Sequence, residues 1–147
     1  MADVFTTDKR SAVMARIRSR GNRDTELRMI LLFRLYGLTG WRRHLDLPGR
    51  PDFAFRRQRL AIFIDGCFWH GCPQHFRMPK SRRDYWSAKI ASNRLRDRRV
   101  TRELRRRGWA VIRLWEHDIT NKASLRTMTK LRDRIHACRA NSKTIEI

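Results

Sequence analysis

Apolar positions along the chain follow two rhythms. Leu27, Ile30, Leu31, Leu35 and Leu38 fall three to four residues apart, which predicts a helix that starts at an N-cap within Asn22 to Thr25 and stops at Gly37. Trp86, Ile90, Leu95 and Leu104 predict a longer helix, capped by Ser81 or Asp84 and ended near Arg107 by Gly108. Leu125, Met128, Leu131, Ile135 and Cys138 predict a last helix. Between them lie strand-like runs: Trp41 to Leu47, Asp52 to Phe55, Leu60 to Ile64 and Trp109 to Trp115. The first two are separated by Pro48-Gly49-Arg50-Pro51, and residues 52 to 65 read as a hairpin. Leu60 to Ile64 is uninterrupted and apolar, as expected of a central strand covered on both faces. Residues 8 to 19 read as a short basic helix in which Met14 and Ile17 share a face. Either that face packs on the core, or the segment is an arm that reaches a partner through Met14. The order of elements predicts a mixed α/β fold with a small central sheet flanked by helices, a single domain over 1–147 with an N-terminal basic arm (1–20) and a loose tail (140–147).

Composition sharpens this into a question of partners. The chain has 147 residues, 41% of them hydrophobic, which suits one folded domain. Its 35 Lys and Arg against 14 Asp and Glu leave a net charge of +21. A field of that sign concentrates polyanions, and nucleic acid leads the candidates. No apolar run approaches the ~20 residues of a spanning helix, and no membrane partner is expected. The basic N-terminus lacks the long apolar region of a secretory signal. Three cysteines, an odd number, fit a cytoplasmic protein that uses a close pair for metal better than a disulfide framework.

That pair sits in Ala61 to His75, AIFIDGCFWHGCPQH. Cys67-x4-Cys72-x2-His75 offers three zinc-type ligands on one loop, and His117 at the exit of a distant strand is a fourth. His70 lies in the same loop, so five candidates compete for four tetrahedral positions. Acids form a second group. Asp52 opens one strand, Asp65 ends the next, and Glu26 lies in the first turn of the early helix. Taken singly each is an ordinary cap or ion-pair partner, Glu26 above all. Carboxylates gathered in so basic a chain repel phosphate unless a cation lies between them, which is how Mg2+ is used at phosphodiesters.

Several segments then carry a resemblance. LPGRPDF (Leu47 to Phe53), DGCFWHGCPQH (Asp65 to His75), YWSAKIASN (Tyr85 to Asn93) and GWAVIRLWEH (Gly108 to His117) resemble, in order and spacing, the very short patch repair (Vsr) DNA mismatch endonuclease family. The early RSAVMARIRSR and NRDTE segments match as well, so the likeness spans about residues 8 to 120. It implies a PD-(D/E)XK restriction-endonuclease-like fold with a structural zinc. It also implies a Mg2+-dependent nick on the 5′ side of the thymine in T·G mismatches left by deaminated 5-methylcytosine.

By position, the resemblance makes Asp52 the Mg2+ ligand, Ile64 a second ligand through its backbone carbonyl, and His70 the residue that activates water. Glu26 supports the metal–water network. Asp65 stands where the family's characterised member has a histidine, and is carried as a further catalytic candidate. Cys67, Cys72, His75 and His117 become the zinc set. Phe68, Trp69 and Trp86 become an aromatic wedge beside the mismatch, Lys89 and Asn93 contacts to the mismatched pair, and Met14 an arm residue near DNA. For Trp86 the competing role is helix core, and for Phe68 and Trp69 packing over zinc. A monomeric bacterial enzyme acting on double-stranded DNA, with a MutL-type repair partner, completes the expectation. The rivals are a restriction-type nuclease that cuts matched DNA and a zinc-stabilised DNA-binding module without chemistry.

Overall fold

The computed structural model describes residues 21–120 and 122–143. The expected helix at 8–19, the arm and Met14 lie outside the described residues. Helix α1 (Gly21–Leu35) leads through a turn at Gly37 into strand β1 (Trp41–Arg43). Strands β2 (Phe53–Phe55) and β3 (Leu60–Asp65) follow, then the long helix α2 (Arg83–Arg106) and strand β4 (Ala110–Trp115). A 3-10 turn (Glu116–Ile119) and helix α3 (Ala123–Lys143) close the described chain.

The four strands form one mixed sheet in the order β1-β2-β3-β4. The β1/β2 and β2/β3 pairs are antiparallel, so the 52–65 hairpin forms as expected. β3 and β4 are parallel, with Leu60 opposite Ala110 and Asp65 opposite Trp115. A parallel neighbour demands a crossover, and α2 supplies it. β3 is therefore central, and five of its six residues are buried.

Alternation along β3 splits the core in two. Leu60 and Ile62 face α1 and α3 among Met29, Phe33, Phe53, Phe55, Met128 and Leu131. Phe33 anchors this side, stacking on Trp41 at 5.5 Å and meeting Phe53 and Phe55 edge-on at 5.2 and 5.7 Å. Ala61 and Phe63 face the other way, toward Leu104 and Val100 of α2.

Several details depart from the sequence pattern. β1 stops at Arg43 instead of continuing to Leu47, because His44 takes φ 50, outside extended conformation. α2 is capped neither by Ser81 nor by Asp84. Its N-cap is Arg82, in the left-handed region at φ 55 with no side-chain cap, and Asp84 sits in the first turn. Leu95 and Leu125, expected as core contacts, are 59% and 61% exposed, and Leu27 is 43% exposed. The buried face of α2 instead runs through Ile90, Asn93 and Leu104. The last helix reaches Lys143, beyond the expected boundary at Arg139.

Candidate functional site

A cavity of about 670 Å³ opens at the C-terminal end of β3, between the start of α1, the Gly49–Asp52 loop, the turn after Asp65 and the inner face of α2. Two glycines press its walls onto α2. Gly49, at φ +73, lies so close to Val100 that a Cβ there would stand 2.4 Å from Val100 Cγ1. Gly71, at φ +66, would place one 2.9 Å from Ile90 Cγ2. Both contacts are to stiff β-branched side chains, and both φ values lie in the left-handed region that favours glycine, so a side chain at either position strains the loop.

Asp52 enters from the bend immediately before β2, which starts one residue later than expected, at Phe53. The backbone N–H of Ile64 donates to its Oδ2 at 2.7 Å, which fixes the carboxylate against β3. Burial raises its pKa above the ordinary 3.8, and the nearby carboxylates of Glu26 and Asp65 raise it further. Four acids, Glu26, Asp52, Asp65 and Asp97, line this one cavity in a strongly basic chain, and carboxylates so gathered suit a hard cation. Glu26 lines the same cavity from α1 and is ion-paired with Arg43, with His44 Nε2 3.8 Å away.

His70 lines the same cavity as Asp52. Its Nδ1–H donates to Asp97 Oδ2 at 2.5 Å, and Asp65 Oδ1 lies 3.8 Å away. This commits Nδ1 and leaves Nε2 as the nitrogen that can accept a proton. Asp65 is held by Arg113, whose Nη1 donates to Oδ1 at 2.9 Å and Oδ2 at 3.1 Å. Burial nevertheless raises the pKa of Asp65, the guanidinium pulling against it.

Asp97 and Arg113 are the functional residues that sequence reading missed. Asp97 is four residues past Asn93 and shares the inner face of α2 with Lys89 and Asn93 as cavity lining. That spacing was the available signal, hidden in a run of arginines. Arg113 is the one charge inside the apolar strand WAVIRLW, and a charge at an inward position calls for a partner.

The turn after Asp65 also carries the aromatic residues. Trp69 lines the cavity and is 47% exposed. It packs edge-on against Phe68 at 5.2 Å and tilted against Trp86 at 5.7 Å. Phe76 and Tyr85 extend the cluster. Trp86 is half-buried within this cluster and takes no place in either core group. Asn93 is buried and donates its side-chain N–H to the Trp69 carbonyl at 2.8 Å, so it braces the aromatic turn. Lys89 is exposed at the rim, and Arg50 and Arg96 add positive charge.

Behind the turn, the ligand atoms of Cys67, Cys72, His75 and His117 all lie within 4.8 Å of one another. The Nδ1 of His117 is 3.3 Å from Cys67 Sγ, 3.7 Å from Cys72 Sγ and 3.1 Å from His75 Nδ1. A tetrahedral zinc with ordinary bond lengths spaces sulfur and nitrogen ligands by about 3.6 Å and two nitrogens by about 3.3 Å. The four residues therefore fit such an ion. Asp118 Oδ1 lies 3.6 Å from His117 Nε2, the ring nitrogen not turned to the cluster. Burial pushes the Cys67 thiol up to about 12, so its thiolate calls for a cation beside it. His70 stands apart from this set, grouped instead with Asp65 and Asp97.

Carboxylates opposed to a histidine–aspartate pair, rimmed by Lys and Arg, are the apparatus of phosphodiester hydrolysis. Comparisons with known proteins place the chain within that class. A family model described as DNA mismatch endonuclease Vsr matches residues 2–75. The type II nicking enzyme V.XorIIP of Xanthomonas oryzae pv. oryzae is 38% identical over 129 residues, 85% of this chain and 92% of that protein. DNA mismatch endonuclease Vsr of Escherichia coli K12 is 39% identical over 128 residues, 85% of this chain and 80% of that protein. The type II nicking enzyme V.NaeI of Lentzea aerocolonigenes is 49% identical over 69 residues, 47% of this chain and 42% of that protein. The chain belongs to the Vsr family and is a DNA endonuclease. Among the described residues no helix is long and apolar enough to cross a membrane.

Proposed function

We propose that this endonuclease nicks one strand of duplex DNA on the 5′ side of the thymine in a T·G mismatch, in Mg2+-dependent very short patch repair. The observation that carries the reading is a juxtaposition. Trp69, an exposed aromatic, and His70, held by Asp97, are consecutive residues of one turn that lines the same cavity as the half-buried carboxylate of Asp52. A turn of that kind couples testing the base stack to cutting the backbone beside it.

Asp52, with the Ile64 carbonyl, would hold the Mg2+, which as a Lewis acid stabilises charge on the attacked phosphate. The Ile64 N–H keeps Asp52 aimed at the cavity. His70 accepts a proton from water at Nε2, and Asp97 keeps its Nδ1 protonated and balances the resulting imidazolium charge. Water forms a bond to phosphorus as the bond to the 3′ oxygen breaks, and the 3′ oxygen takes a proton from solvent, giving 3′-hydroxyl and 5′-phosphate ends. Glu26, turned by Arg43, orders water next to Asp52. Lys89, Arg50 and Arg96 lie at the rim, where they meet phosphates and the mismatched pair.

Phe68, Trp69 and Trp86 act as the wedge. Unstacking a base step costs a few kcal/mol, less where the pair is already weakened, so the aromatic cluster favours a mismatch over matched DNA. Zinc held by Cys67, Cys72, His75 and His117 is structural, a closed site that ties the active turn to the end of β4. The sheet supports a PD-(D/E)XK-like arrangement, with the metal acid just before one hairpin strand and the histidine just past the other.

An end-labelled T·G duplex incubated with enzyme and Mg2+ tests the assignment. Asp52→Asn and His70→Ala each abolish nicking while retaining binding. Wild-type rates in either variant remove the proposed roles.

A further inference from the structure

Asp65, His70 and Asp97 bring three ligand-type atoms within 4.8 Å of one another, beside the Asp52 site. Such a cluster reads at first as a second divalent-cation site. A side chain already fills it. Arg113 Nη1 donates to both oxygens of Asp65, at 2.9 and 3.1 Å, and lies 3.7 Å from Asp97 Oδ1. Its Nε donates to Thr101 Oγ1 at 3.1 Å and its Nη2 to the Asp97 carbonyl at 3.3 Å. The guanidinium carbon sits 4.2 Å from the centre of the Phe63 ring. Arg113 is thus gripped on three sides, by β3, by α2 and by an aromatic face. A planar, permanently charged guanidinium in such a frame behaves as a fixed cation.

We propose that Arg113 is a positioning residue that occupies this acidic cluster in place of a cation and holds Asp97, and through it His70, in line. This rests on the reading of Asp52 as the cation site. Asp65 is then the anchor of Arg113 and no metal ligand. Asp65 and Asp97 place two negative charges beside the neutral His70. Arg113 offsets one of them and holds Asp97 through both its carbonyl and its carboxylate, which keeps the 2.5 Å bond to His70 in line. Metal and cation positions are interchangeable in this sense because both neutralise clustered carboxylates. A guanidinium differs in costing no binding equilibrium.

The test counts Mn2+ as the probe ion, by electron paramagnetic resonance titration of the full-length, zinc-loaded protein without DNA. This readout is independent of which mismatch is cut. In the wild-type protein, Asp52→Asn removes the bound Mn2+, and Asp65→Asn leaves the number bound unchanged. Arg113→Met gains an ion, and Arg113→Met combined with Asp65→Asn loses it again. Loss of a bound Mn2+ in Asp65→Asn overturns the proposal, as does a folded Arg113→Met that binds no more Mn2+ than wild type. Should Arg113→Met fail to fold, the Asp52→Asn and Asp65→Asn titrations decide alone. Nicking adds a second readout. Arg113→Ala slows cleavage by about 10- to 100-fold, the usual effect of removing a group that orients an active side chain. Free guanidinium restores part of that rate in Arg113→Ala and none in His70→Ala. A rate in Arg113→Ala equal to wild type contradicts the positioning role.

Discussion

Asp97→Asn isolates the contribution of the carboxylate behind His70. Asparagine keeps the size of the side chain and an oxygen able to accept the Nδ1–H that now bonds at 2.5 Å. What is lost is the negative charge. A hydrogen bond to a charged group contributes about 1.5–3 kcal/mol, and each 1.36 kcal/mol is tenfold in rate, so the chemical step slows by roughly 10- to 150-fold. The lower half of that range is favoured. Asp65 Oδ1 remains 3.8 Å from Nδ1, and Arg113 already draws on both carboxylates. The assay is single-turnover nicking of a T·G duplex at saturating enzyme, with the dissociation constant measured separately in Ca2+. Binding stays unchanged, because Asp97 acts through His70 and not on the phosphate. A rate within about threefold of wild type shows that the charge of Asp97 contributes less than ~0.7 kcal/mol and refutes the dyad.

Other perturbations separate the remaining parts. Removing zinc with a chelator, or replacing Cys72 by Ala, lowers the melting temperature and abolishes nicking together, and metal analysis of the native protein finds one zinc per chain. Trp69→Ala keeps the melting temperature within a few degrees but lowers the preference for T·G over T·A duplex by about tenfold or more, since the unstacking test is worth a few kcal/mol. Asp52→Asn raises the melting temperature of the Mg2+-free protein at pH 7. The sign follows from its raised pKa. The native chain holds that proton more tightly than the unfolded one, so the ionised carboxylate costs stability above the raised value. The cost fades as pH falls toward the ordinary 3.8, and the two proteins converge there in a melting series. Gly71→Ala loosens the active turn from Ile90 and lowers both stability and rate, read by melting and nicking together.

Much of the architecture was legible because its signals are local. The hairpin of residues 52–65 announces itself by an apolar run, a polar turn and a second apolar run, and β4 by β-branched and aromatic residues after Gly108. The zinc-type loop was legible because cysteine and histidine are scarce elsewhere in the chain. What escaped depends on tertiary placement. Leu95 carries the helical rhythm of α2 but lies on its outer face, and only the position of the sheet shows that Asn93 is the inward residue. His44 ends β1 by a left-handed turn that composition does not mark. Asp97 looked like a solitary acid among arginines until α2 was laid across β3, where it meets His70 from 27 residues away. Arg113 meets Asp65 only through the parallel pairing of β3 and β4, a non-local contact across 48 residues.

The central claim is that one turn couples recognition of a T·G pair to Mg2+-dependent cleavage beside it. Mapping products at nucleotide resolution tests this most directly, using T·G and T·A duplexes labelled on each strand, with and without Mg2+. The account predicts one nick, on the thymine strand at its 5′ phosphate, only in the T·G duplex, only with Mg2+. Cleavage of both strands of the T·A duplex, or tight binding of T·G without any cut, would contradict it.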